Sequence, residues 1–139
     1  MPLIKLKHRP GFRFPGVSGR MGPEAARTFL RQDFGRALPA FFARYGAEFG
    51  IDVVPEAGVQ VECDTFGEDD INVPDLWLDI RLSEEPPGEQ ERIRIRRTMY
   101  AALTRLLREL GKEVPDFVID VSWGPSSGQG TVDGELIEW

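Results

Sequence analysis

The sequence predicts an α+β fold in which two tandem β-α-β units form one four-stranded mixed sheet with both helices on one face. Three observations predict it. Two strand-like segments, PLIKLKHRP and PDLWLDIRL, each open on proline and carry an arginine seven residues later, Arg9 and Arg81. Each is followed by a stretch with apolar residues at three- and four-residue steps, and then by a further alternating segment. The spacing reads as an internal duplication of roughly 65–70 residues. A strand, helix and strand in that order pair in parallel only through a crossover. The expected organisation is a single domain over 1–139, with halves spanning about 1–67 and 74–123 and a hairpin tail over 124–139.

The elements follow in order. In PLIKLKHR, residues Pro2, Ile4 and Leu6 share one face, while Leu3, Lys5, Lys7 and Arg9 share the other. His8 keeps the parity of the buried side. The stretch PGFRFPGVSGRMGP is broken by proline and glycine and reads as a long loop, a candidate lid or contact segment. From Glu24 to about Phe49, residues Phe29, Leu30, Phe34, Leu38, Phe41, Phe42, Tyr45 and Phe49 form a helical stripe suited to core packing. Pro39 predicts either a kink there or a second helix opening at its first turn.

GVQVECDTF reads as the second strand, with Val59, Val61, Cys63 and Thr65 facing one way, so that Cys63 reads as a buried thiol. GEDDINVPD is an acidic turn without the ligand spacing of a calcium loop. DLWLDIRL buries Leu76, Leu78, Ile80 and Leu82. The helix EQERIRIRRTMYAALTRLLREL is expected to bury Ile93, Tyr100, Leu103, Leu106, Leu107 and Leu110, with Gly111 fitting a C-terminal cap. DFVIDVSW is the fourth strand, and the glycine-rich tail ends in a segment able to pair as a hairpin.

Composition narrows the function classes. A net charge of −6 argues against nucleic acid as a partner, because phosphate binding needs a basic surface. No apolar run approaches the ~18 residues of a membrane span, and the N-terminus lacks the apolar stretch of a secretion signal, so the expected location is cytoplasmic. The one cysteine excludes an internal disulfide, and the one histidine excludes a histidine-rich metal site.

At this point the chain resembles the tautomerase superfamily, which contains macrophage migration inhibitory factor, 4-oxalocrotonate tautomerase and 5-carboxymethyl-2-hydroxymuconate isomerase. The resemblance lies in Met-Pro opening the first strand, the duplicated β-α-β plan and a length near that of the fused forms. The stretch LPAFFARYGAEFGIDVVPEAGVQVECDTF and the tail GQGTVDGEL add to it. It implies a homotrimer whose three sheets form a barrel wrapped by helices. It also implies a site at a subunit edge, the amino-terminal proline as catalytic base, and no cofactor. Where one branch carries an arginine early on the second strand of the unit, this chain has Gln60 and Val118. Where that branch carries a hairpin phenylalanine, it has Gly130.

Pro2 has two readings. It is an acceptable strand-starting residue, since proline has no N–H to donate. Removal of Met1 would also leave it a secondary amine. An α-amino group titrates near ~8, and an apolar setting lowers that value toward neutrality, where a general base works best. Such a base can take a proton from the carbon beside a carbonyl, or from an enol, and return it elsewhere. An arginine can then hold a substrate carboxylate by a two-pronged bond. Arg9 and Arg81, at strand ends, and Arg13, in the long loop, are the candidates. The sequence therefore points to a cofactor-free tautomerase or isomerase acting on a small keto or enol acid, with Pro2 as catalytic base. A non-catalytic oligomeric binding module of the same fold is the alternative.

Overall fold

Alternation of buried and exposed residues along strand β1 (Leu3–His8) sets the whole architecture, because one face of that strand holds Ile4, Leu6 and His8 out of water. The computed structural model describes residues 2–13, 20–51, 56–82, 85–111, 114–124 and 129–138. Strand β4 (Gln60–Thr65) pairs with β1 in parallel, β5 (Leu76–Leu82) pairs with it antiparallel, and β6 (Phe117–Trp123) pairs with β5 in parallel. The sheet order is β4-β1-β5-β6, so both edges are second strands of a β-α-β unit. The first strands of the two units lie side by side at the centre of the sheet. Leu3 pairs with Arg81 and Ile4 with Ile80, and a shift of 72 residues in the sequence carries Pro2 onto Pro74 and Arg9 onto Arg81. That offset is slightly longer than the roughly 65–70 residues first read for the repeat.

The helical layer lies on one face. Its first part runs as α1 (Pro23–Arg27), a π-helical segment (Thr28–Gly35), α2 (Arg36–Tyr45) and a 3-10 turn (Gly46–Phe49). Pro39 sits in the first turn of α2 without breaking the run. It has no N–H for the Gly35 carbonyl four residues back, and the widened segment ends at that residue. The aromatic stripe is core: Phe34 and Phe42 are fully buried, and Phe49 nearly so. A short 3-10 turn (Glu56–Gly58) leads into β4.

The second part is α3 (Glu89–Gly111). Its buried face is Ile95, Met99, Ala102, Leu103 and Leu107. Tyr100 and Leu110, expected inside, are 45% and 41% exposed. The segment RIRIR offers isoleucines two apart, which lie on different helix faces. The step of four back from Leu103 through Met99 selects Ile95 over Ile93. Gly111 is needed for close approach, since a Cβ there would run into the Phe29 ring.

Two further expectations change. The proline- and glycine-broken stretch is not all loop, because β2 (Phe12–Arg13) and β3 (Arg20–Met21) pair antiparallel; residues 14–19 lie outside the described residues. Cys63 is exposed, because β4 is an edge strand. Its sulfur nonetheless leans toward Gly35, and desolvation pushes the thiol up against the opposing effect of Arg31. The tail forms a separate hairpin, β7 (Gln129–Val132) and β8 (Glu135–Glu138), turned at Asp133 and Gly134, both at positive φ. No described helix is long and apolar enough to cross a membrane.

His8 ties the layers together. Arg31, in the π-helical segment, donates to His8 Nε2 at 2.9 Å and also to the Thr65 hydroxyl. The imidazole Nδ1, paired with the Arg9 carbonyl at 2.6 Å, therefore carries the proton. Burial holds His8 below its ordinary value of 6.5, Arg31 and Arg27 adding to the shift and the carbonyl bond opposing it. The folded state thus binds fewer protons than the unfolded chain just below that value. The stability is present above pH 6.5 and is lost as pH falls through the lower folded value. The thermal midpoint is expected to drop as pH goes from 7.5 to about 5, and His8→Gln to flatten that limb. An unchanged slope in the variant would assign the acid sensitivity elsewhere.

Candidate active site

The helix-free face of the sheet carries the polar residues, and its register sorts them into rows. The first row reads Gln60, Leu3, Arg81, Ser122; the second reads Glu62, Lys5, Asp79, Asp120; the third reads Asp64, Lys7, Trp77, Val118. A cavity of about 270 Å³ opens over the first two rows, lined by Leu3, Lys5, Asp79, Arg81, Ser122 and Trp123. That volume suits a small organic acid.

Arg81 is held without being used up. Its guanidinium lies over Gly124, where a Cβ would come within 3.2 Å of Nη2 and 3.7 Å of Nε. Gly124 is fixed in turn, its N–H donating to the Leu82 carbonyl at 3.1 Å. Among the described residues Arg81 makes no ion pair. The Trp123 ring is capped from the helix layer by Arg96, 5.0 Å from its centroid. An arginine seated in this way, with no carboxylate on it among the described residues, suits a ligand carboxylate.

Pro2 is buried at the start of β1, and its carbonyl accepts from the Gln60 N–H at 3.1 Å. The cavity begins at the next residue, Leu3, whose antiparallel partner is Arg81. Pro2 and Arg81 are thus brought to one end of the sheet. Arg9 is at the other end, about 20 Å along the strand from Leu3. Its guanidinium donates to the Val73 carbonyl at 2.6 and 3.2 Å, and its Nε lies 3.7 Å from Asp75. Burial and the neighbouring Asp116 push the Asp75 carboxyl up, and Arg9 opposes them. Arg13 pairs with Arg20 through the backbone of the β2-β3 hairpin, and its side chain lies outside the described residues. No cluster of three or more metal-ligating side chains occurs among the described residues.

Sequence reasoning did not reach Asp79, Ser122 or Gly124. Alternation alone places Asp79 and Arg81 on one face, but only the pairing of β5 between β1 and β6 brings Lys5 and Ser122 beside them.

The chain is thus a four-stranded mixed sheet of two β-α-β units with a cavity beside the start of its first strand. No protein-family model matches the chain, and no curated protein matches its sequence. Among solved structures it is similar to 5-carboxymethyl-2-hydroxymuconate delta-isomerase, with TM-score 0.55 and 14% identity over 95% of this chain and 88% of that one. It also matches a fused 4-OT solved as a wild-type symmetric trimer, with TM-score 0.48 and 16% identity over 96% and 94% of the two chains. A third match is malonate semialdehyde decarboxylase, with TM-score 0.48 and 14% identity over 96% and 92%. The likeness to the isomerase establishes the shared fold.

Proposed function

We propose that this chain is a cofactor-free tautomerase or isomerase that relocates a proton on a small carboxylate-bearing keto or enol acid. Pro2, exposed as a secondary amine by removal of Met1, is the base. Arg81 holds the substrate carboxylate. The observation that carries this reading is the antiparallel register that sets Arg81, which makes no ion pair among the described residues, opposite Leu3 at the Pro2 end of the sheet. An apolar setting is the general way such an amine is kept neutral. The amine takes a proton from the carbon beside the carbonyl or from the enol oxygen, the guanidinium steadies the enolate, and the same amine returns the proton at the new position.

The same reading includes a homotrimer. Among the described residues no further strand pairs with the edge strands β4 and β6, and symmetric assembly is the common way to cover such edges.

Two measurements test the function. Intact mass of untagged protein is expected to lack Met1. Ketonisation of phenylenolpyruvate, followed by ultraviolet absorbance, is expected to show turnover by the wild type and a loss of about 100-fold or more in Pro2→Ala. Equal inertness of both proteins across a panel of such acids would leave the non-catalytic binding module in its place.

A further inference from the structure

We infer that Asp79 makes this cavity selective for monocarboxylates and hostile to dicarboxylates. The inference rests on the cavity being the substrate site and deepens that reading.

It follows from how charge is distributed between the two rows that floor the cavity. In the first row Arg81 stands between Leu3 and Ser122, both neutral, so its charge is available. In the second row the lysine is answered on both sides: Lys5 stands between Glu62 and Asp79, and Asp79 stands beside Asp120. That row sets three carboxylates against one ammonium. Asp79 is half-buried and, with Lys5, lines the cavity itself, whereas Glu62 and Asp120 are exposed beside it. Asp79 forms no ion pair among the described residues, so its charge is not withdrawn by a close contact.

The rows are two residues apart along each strand, about 7 Å. A ligand anchored by one carboxylate on Arg81 lays its next few atoms over the second row. A neutral tail meets Leu3, the methylenes of Lys5 and the edge of the Asp79 carboxylate at little cost. A second carboxylate at that distance meets a net negative row, and at the mouth of a small cavity such repulsion is only partly screened. Selectivity therefore comes from a repulsive element placed one row beyond the attractive one.

Isothermal titration calorimetry of the intact protein with adipate and with monomethyl adipate tests this. The two ligands share one chain length and differ by one negative charge. The wild type is expected to bind the monoester at least about 10-fold more tightly, and Asp79→Asn to bring the ratio within about threefold. Lys5→Gln, which removes the row's cation, is expected to widen the ratio, and it serves as the decisive variant if Asp79→Asn does not fold. Adipate binding the wild type as tightly as the monoester, a ratio unmoved by the folded variants, or no binding of either acid at millimolar concentration would overturn the inference. Neither ligand undergoes turnover. Selective binding by a protein inert toward every enol acid would therefore sink the tautomerase reading and leave this one standing.

Discussion

Arg81→Ala is expected to lower kcat/KM toward a carboxylate-bearing enol acid by about 100-fold, whereas Arg9→Ala is expected to leave it within about threefold. The two arginines are equivalent by sequence, each seven residues beyond a strand-opening proline. Their surroundings differ. Arg81 rests on Gly124 with no ion pair among the described residues, at the Pro2 end of the sheet. A charge-assisted contact of this kind contributes about 1.5–3 kcal/mol, which is the basis of the expected loss. Arg9 is committed to the Val73 carbonyl and to Asp75 at the far end, so its loss is expected in stability, by about 1 kcal/mol. Steady-state kinetics and chemical denaturation of both variants separate the roles. Equal loss of turnover in the two would show that the Pro2 end is not the place where carboxylate binds.

Phe42→Ala is expected to cost about 3–5 kcal/mol, enough to unfold a large share of a domain whose total is of order 5–15 kcal/mol. Phe42 is fully buried, and its ring meets Phe41 edge-on at 5.2 Å and Phe49 at 6.0 Å. The packing that surrounds it bridges the helical layer to the sheet, so the cavity left behind cannot close without moving the proline-bearing helix. Urea denaturation checks the value. Ile71→Ala, at a residue 82% exposed, is the control and is expected to stay within about 0.5 kcal/mol. A loss below about 1 kcal/mol at Phe42 would mean that the aromatic stripe repacks freely.

Legibility in the sequence follows the range of the forces involved. Alternation along β1 and β5 and the helical stripe from Phe29 to Phe49 record which side faces the core, and that record is local. The matched openings PLIKLKHRP and PDLWLDIRL revealed the duplication for the same reason. Failures came where a residue's environment depends on a partner distant in sequence. Tyr100 and Leu110 are apolar enough for the core, yet the packing of α3 turns Ile95 and Met99 inward instead. Cys63 has core parity, but nothing along the chain says that β4 is a sheet edge.

The amino-acid order alone made the four sheet strands, the two helical stretches and most core residues legible, and it put Pro2, Arg9, Arg13 and Arg81 forward as candidates. Tertiary structure decided which arginine lies at which end of the sheet. Antiparallel pairing of the two first strands crosses the units over, so Leu3, the residue after Pro2, is paired with Arg81 of the second half, and Arg9 lies beside Asp75. The same pairing assembled Lys5, Asp79 and Ser122 around one cavity. The physical reason is that side-chain periodicity specifies a face within one strand, while strand order and register are set by the joint burial of both units against one helical layer.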